Sequence, residues 1–315
     1  MPLPFPLAAH AASTSTAMID KPLKLGTRAS PLALAQAHLV RDALLKAHGW
    51  AADRVEIVAM TASGDRIQDR PLAEVGGKAL WTKELDRALF DGEIDFAVHS
   101  MKDVETIRPD GLEIIAMLPR ADARDRLIGA ARIADIPRGA RIGTSAPRRT
   151  AQLLRARPDL KIVLFRGNVA TRLSKLDAGE AEATLLAAAG LDRLGMADIG
   201  SAIEMAEMLP APAQGAVGIE TLTSNDRVRP LLQAISHAPT FACVMAERSF
   251  LAALNADCHS PVAAHAQIVQ GAVWLKAEIL SEDGQLCEAG EGNDPAVLAK
   301  TLLDRAPPKL RAVFG

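Results

Sequence analysis

Tyrosine is missing from this chain, and aromatic residues make up only 3% of its 315 residues. Proteins that grip single-stranded nucleic acid stack bases on Phe, Tyr and Trp, so that mode of binding has almost nothing here to work with. Cysteine is nearly as scarce: Cys243, Cys258 and Cys287 are an odd number, far short of the disulfide framework of a small secreted domain. A reducing, cytoplasmic setting fits best. Gly, Pro or a charge interrupts every apolar stretch before it reaches the roughly 18 residues a membrane helix requires, so no membrane partner is expected. Charge of one sign is also lacking. A net charge of −2 argues against a globally basic nucleic-acid binder and against an acidic tail. The first 20 residues hold no Lys or Arg, which removes a secretory signal and a transit peptide and leaves a disordered extension as the expectation.

What is present is 49% hydrophobic and 23% charged, a balance that lets a chain of this length build two or three compact domains. From Leu23 onward, short β-branched or apolar runs alternate with amphipathic stretches, the signature of α/β architecture. LKLGT reads as a strand, with Ser30 as N-cap and Pro31 as first residue of the helix that follows. Arg54 to Thr61 and IDFAVHS read as further strands, with a helix beginning near Thr82. Residues 62–80 mix glycine, charge and proline without periodicity and read as a long loop of the kind that forms lids. A second series begins near Arg120 with RLIGA, RIGTS, KIVLFRGNV and ATLLAAAG as strands, and MLPAPAQGAVGIE then suggests a crossover back. The helix FACVMAERSFLAALNA, a set of strands with turn signals and a last helix form a small α+β unit.

Charge is segregated within this near-neutral chain. Between Arg120 and Lys175 stand fourteen basic residues and four acids, a surplus of ten. Nearly all are Arg, whose planar fork pairs carboxylates and phosphates bidentately. Arg155, Arg157 and Lys161 read as a solvated helix face. Arg148, Arg149, Arg166 and Arg172 fall instead at strand-to-helix junctions, where open α/β sheets bind ligands and helix N-termini favour anions. A polyanionic small molecule is the natural partner.

Four local constellations agree. GTRASPLAL places Arg28 and Ser30 at the first strand-to-helix turn. VHSMKDVE places Ser100, Lys102 and Asp103 after a strand, a position that raises an ordinary Lys-Asp pair to a candidate site. RGNVATR resembles a phosphate cradle, yet no Walker lysine or full dinucleotide fingerprint accompanies it. Cys258, in NADCHSPV, lies where a helix gives way to a loop among polar neighbours and reads as an exposed functional thiol, whereas Cys243 and Cys287 read as packing. No metal is expected.

Taken together, TRASPLAL, GGKALWTKEL, DFAVHSMKDV, GTSAPRR, LFRGNVATRLSKLDAGE, AAAGLDRLG, LPAPAQGAVGIE and the Cys258 segment occur in the order found in hydroxymethylbilane synthases, also called porphobilinogen deaminases. The resemblance runs from Lys24 to about Trp274. It implies two lobes like those of type II periplasmic binding proteins, plus a small α+β C-terminal domain carrying a cofactor cysteine. The corresponding domains are 21–118 with 214–236 (catalytic lobe), 119–213 (Arg-rich lobe) and 237–315 (cofactor-anchoring), after the 1–20 extension. It further implies a dipyrromethane cofactor held by a thioether to Cys258, and stepwise joining of porphobilinogen units with release of ammonia. Asp103 is the implied catalytic carboxylate. Arg28, Ser30, Lys102, Ser145, Arg148, Arg149 and Arg166 are the implied cofactor contacts, and Arg28, Ser100, Arg149, Arg166, Arg172, Arg193 and Gln214 those of substrate and growing chain. A monomer that hands its product to a downstream enzyme is the expected partner arrangement.

The chain departs from the family pattern in a few places. Ala256, Asp257 and Ser260 replace the usual small and apolar residues around the cofactor cysteine, Ala146-Pro147 replaces Ser-Leu, and Trp81 stands where Phe is frequent. Asp257 is expected to disfavour the Cys258 thiolate by like-charge repulsion. Two other classes compete. A solute-binding module for an anion would share the lobes without needing Cys258 or Asp103, and a nucleic-acid or polyphosphate binder would use the arginines but lacks aromatic interleaving.

Overall fold

The computed structural model describes residues 21–61 and 82–315; the N-terminal extension, the 62–80 loop and Trp81 lie outside the described residues. β1 (Leu23–Arg28) runs into the helix Pro31–His48 through a turn that the local sequence dictates. The Ser30 hydroxyl accepts from the Ala33 amide at 3.4 Å, and Pro31 occupies the first turn, where its missing N–H costs nothing. Gly49 ends the helix in the left-handed region at φ 65°. β2 (Val55–Met60) and β3 (Phe96–Ser100) flank β1 in parallel, and β10 (Val217–Leu222) enters antiparallel between β3 and β4 (Leu112–Met117). The first sheet thus has the order β2-β1-β3-β10-β4.

The second sheet repeats this plan. β5 (Asp125–Ile128), β6 (Arg141–Gly143), β7 (Lys161–Val163), β8 (Ala183–Ala187) and β9 (Ser201–Ala202) assemble as β7-β6-β8-β5-β9, with β5 antiparallel to both neighbours. In each lobe the antiparallel strand is the first one the chain reaches on crossing over. The two lobes expected from the resemblance are therefore both present, followed by the α+β unit. There β11 (Val262–Val269), β12 (Ala272–Leu280) and β13 (Cys287–Gly292) form an antiparallel sheet covered by the helices Ala238–Ala253 and Pro295–Arg305. Each unit has its own apolar core: Leu25, Phe96 and Ile219 in the first lobe, Leu127, Ile142 and Leu185 in the second, and Phe250, Leu275 and Leu302 in the third. Burying side chains of this size contributes about 1.5–3 kcal/mol each.

One buried carboxylate fastens the three units together. Glu247, on the helix Ala238–Ala253, has no exposed surface. It accepts two bonds from Arg120 in the outgoing crossover (2.6 and 3.1 Å), the Ala213 amide in the return crossover (2.5 Å) and the Ala266 amide in β11 (2.7 Å). Ala213 adopts φ 62°, an unusual backbone for a residue with a Cβ, and its amide bond to Glu247 helps hold it there. The crossovers touch closely enough that a Cβ at Gly215 would lie 2.7 Å from the Ala121 carbonyl, so only glycine fits.

Removing this hub leaves Arg120 and two amides buried without their acceptor. Glu247→Ala should lower the unfolding free energy by about 3–5 kcal/mol in urea titrations; a loss under about 1 kcal/mol would show the hub to be dispensable.

Candidate active site

The ends of β1 and β3 open onto a common cleft, lined by Arg28, Ser30, Gln36, Thr82, Ser100 and Asp103. Two of the polar groups there are fixed by the helix Pro31–His48: the buried Gln36 amide bonds the Ser100 hydroxyl at 2.8 Å. The chain then makes a tight 3-10 turn, Met101–Asp103, in which Met101 packs inward against Val244 and the next two side chains stay half-buried. Lys102 reaches Gln214 Oε1 at 3.4 Å. Burial pulls its ammonium down to about 8, and Arg149 adds to the effect while Asp103 opposes it.

The arginines of the second lobe face this turn from the other side. Arg148 and Arg149, in the first turn of the helix Pro147–Ala156, are each only 4% exposed. Both bond the buried Asp125 at the head of β5, each at 2.7 Å, and Gln214 donates to the same carboxylate at 2.9 Å. The two arginines hold Asp125 well below the usual carboxylate range despite its burial. Arg148 also donates to Gln152 and to the Leu209 carbonyl, and Arg149 to the Leu185 carbonyl, while the buried Nε of each has no partner among the described residues. Arg166 is buried in the turn after β7. Arg172, on the helix Val169–Asp177, bonds the Gly167 carbonyl at 3.0 Å, and its guanidinium falls to about 10 through burial, then through Arg149 and Arg166, with Asp103 opposing. Ser145 sits half-buried between β6 and the Arg148 helix.

Cys258 completes the cleft. It lies exposed in a tight turn after the helix Ala238–Ala253, where the Asp257 amide bonds the Ser260 hydroxyl at 3.1 Å. Although part of the residue is exposed, protein packed around its sulfur desolvates the thiolate, and this, followed by the negative charges of Asp103, Asp257 and Glu105, pushes the thiol up to about 12. The repulsion expected from Asp257 is present, but it ranks after desolvation and Asp103. One carboxylate, Asp103, thus acts on three groups from three parts of the chain: Lys102, Arg172 and Cys258.

Lys102, Arg172 and Cys258 stand within electrostatic reach of Asp103, Arg149 and Arg166 within reach of Arg172, and Gln214 bonds Lys102, while Arg28, Ser30 and Ser100 line the same cleft as Asp103. Arg193 donates to the Gly215 carbonyl, next to Gln214, at 2.7 Å. The exposed face expected for Arg155, Arg157 and Lys161 is largely present, Arg155 and Lys161 being exposed and Arg157 half-buried, but both arginines hold partners there. Arg155 bonds Glu278 (3.2 Å) and the Cys287 sulfur (2.8 Å) in the third unit, and Arg157 bonds Asp159 (2.8 Å) and the Ile133 and Ile136 carbonyls (3.2 and 3.0 Å). A helix-face pattern shows which side is polar but not which partners a neighbouring unit brings to it. Sequence reasoning also passed over Asp125. Its signal was a lone acid opening an apolar strand within an arginine-rich stretch.

Two family models match the chain: "Porphobilinogen deaminase, dipyromethane cofactor binding domain" over residues 23–230 and "Porphobilinogen deaminase, C-terminal domain" over 241–305. A porphobilinogen deaminase of Sphingopyxis alaskensis is 58% identical over 94% of this chain and 98% of its own. One from Paracoccus denitrificans is 50% identical over 91% and 96%. Among solved structures, a TRAP periplasmic solute-binding protein from Desulfovibrio salexigens aligns at 11% identity over 74% of this chain and 76% of its own, with a TM-score of 0.42.

Lys102 offers a pH signature. An amine titrating near 8 is cationic below that pH and neutral above it, so affinity for carboxylate ligands should fall as pH rises through about 8. Lys102→Arg, whose guanidinium stays charged, should flatten the profile; an unchanged profile in that variant would show that another group titrates.

Proposed function

The chain belongs to the porphobilinogen deaminase family, and from that premise we propose a division of the chemistry among its cleft residues. The enzyme is a transferase that condenses four porphobilinogen molecules head to tail with release of four ammonia molecules, and one water then frees the chain as hydroxymethylbilane. Its cofactor is dipyrromethane. The cleft suits such a group: the pyrrole rings carry acetate and propionate, and the cleft offers cations depressed by burial and by one another, together with two buried guanidinium Nε atoms that find no acceptor among the described residues. When bound through a thioether to Cys258, the dipyrromethane supplies the pyrrole carbon to which the first unit is joined.

Asp103 is the catalytic carboxylate in this reading. Positive charge develops at the pyrrole nitrogen when the amino group of porphobilinogen departs as ammonia and leaves its methylene on the ring, and again when that methylene joins the next pyrrole. A fixed carboxylate stabilises both, and it can accept the proton released as the new ring regains aromaticity. Lys102, Arg28, Ser30, Ser145, Arg149 and Arg166 bind the acetate and propionate groups of the cofactor. Arg148 contributes from within its bonds to Asp125. Arg172, Arg193, Ser100 and Gln214 serve the substrate and the lengthening chain, which gains two carboxylates per step. The observation carrying this reading is that Asp103 perturbs a lysine of its own lobe, an arginine of the other and the thiol of the third unit. Every residue assigned here comes from one chain, which supports a monomer; the compartment proposed for it is the cytoplasm.

Two variants test the assignments. Cys258→Ser should fold yet lose both the added mass of two pyrrole rings and the colour reaction with Ehrlich's reagent, while Cys243→Ser and Cys287→Ser retain them; an adduct surviving in Cys258→Ser would refute the anchor. Asp103→Asn keeps shape and removes charge, so kcat should drop roughly 100-fold or more with KM changing far less. Undiminished turnover would eliminate the electrostatic role.

A further inference from the structure

The residues that follow Asp103 are held with unusual thoroughness for a stretch outside helix and strand. Arg248, buried on the helix that leads to Cys258, donates to three successive carbonyls: Val104 (3.2 Å), Glu105 (2.6 Å) and Thr106 (3.0 Å). The Glu105 side chain is bound from the opposite side by Arg108 and by the Thr82 hydroxyl at 3.0 Å. Arg108 itself bonds Asp86 and Glu220, and Glu220 meets His99 at 3.1 Å. With its backbone fixed in this way, the segment offers one side chain to the cofactor-anchoring turn. The Thr106 hydroxyl donates to the Ala256 carbonyl at 2.8 Å, across 150 residues of sequence.

That turn otherwise closes mainly on itself. Ala256 N bonds the Leu251 carbonyl (2.9 Å), Ser260 N the Asp257 carbonyl (3.1 Å) and His259 N the Asp257 carboxylate (2.8 Å). Among the described residues, Thr106 makes the hydrogen bond that ties it to the Asp103 segment. Two residues stand between Asp103 and Thr106 and one between Ala256 and Cys258, so this bond closes a short bridge between carboxylate and thiol.

We propose that Thr106 is a positioning residue, setting the reach from the Cys258 anchor to the Asp103 carboxylate through its bond to the Ala256 carbonyl. The inference rests on the roles given above to Cys258 and Asp103. Its effect is greatest at the first addition, when the tether is shortest; later additions work through a longer chain with more rotatable bonds, which absorbs a displaced anchor. Thr106→Val preserves shape and removes the donor, and the freed carbonyl lies beside an exposed turn where water can replace it.

The test compares Thr106→Val and Thr106→Ser, with intact mass used to select protein carrying the dipyrromethane. Thr106→Val should lose about 10- to 100-fold in kcat with KM nearly unchanged, as small misplacements of reacting groups do. In single-turnover mixing with one equivalent of porphobilinogen, it should form the one-ring covalent intermediate slowly, while loaded enzyme already bearing that ring extends at close to the wild-type rate. Thr106→Ser should restore both. Wild-type turnover in adduct-bearing Thr106→Val, equal slowing of every addition, or a serine variant no better than valine would each overturn the proposal. If Thr106→Val does not fold, Thr106→Ala against Thr106→Ser gives the same comparison. Failure of the underlying reading is separable, because it would appear as an adduct persisting in Cys258→Ser.

Discussion

Keeping several cations together out of water is the constraint on which this structure turns. Burial penalises each charge and neighbouring cations penalise it again, which is why Lys102 falls to about 8 and Arg172 to about 10. The protein meets part of this cost internally, by giving Arg148 and Arg149 a shared carboxylate in Asp125. Among the described residues, Lys102 and Arg172 have no carboxylate bonded to them. A cleft built this way favours anions, because carboxylates entering it would relieve the repulsion between its cations. Asp103 moderates that repulsion without cancelling it, and is thereby kept beside the groups whose chemistry it serves.

Such a cleft needs a stiff frame, because mutually repelling groups move apart unless something holds them. The third unit supplies much of it. Glu247 binds both crossovers, Arg248 reaches the first lobe, and the Ala256 carbonyl receives Thr106 from that lobe. On the second lobe, Glu278 bonds Gln152 at 3.1 Å, and Gly284 packs so tightly on the Arg148 helix that a Cβ there would lie 2.2 Å from the Ala151 carbonyl. A unit whose sequence reads as a modest α+β appendage is thus the brace between the two lobes.

The sequence made much of this legible, and the limits have physical causes. The Ser30-Pro31 start of the first helix could be read because capping is local chemistry. The arginine surplus pointed to an anion because charge counting needs no coordinates. The FACVMAERSFLAALNA helix begins three residues earlier than its apolar pattern, at Ala238, because the His237 ring caps it by accepting from the Thr240 amide at 3.3 Å. β4 and the two-residue β9 were passed over, and the strand read as KIVLFRGNV shortens to Lys161–Val163, since strand ends are set by pairing partners. Asp125, Glu247 and Thr106 escaped for one reason. Each acts through a partner far away in sequence, and nothing in their own neighbourhoods announces it.

The adjacency of β4 and β10 bears on how such a molecule is put together. Met117 and Gly218 are antiparallel partners, and Leu118 N bonds the Val217 carbonyl at 3.2 Å, so the chain leaves the first sheet and re-enters it at neighbouring points. The whole second lobe, with most of the arginines, occupies the place of a hairpin loop. A turn of about two to five residues would bridge the same gap. Topologically the lobe is a cassette: its interior can be lengthened, exchanged or recharged without re-threading the sheet that carries Asp103, provided its two ends still meet at that hairpin.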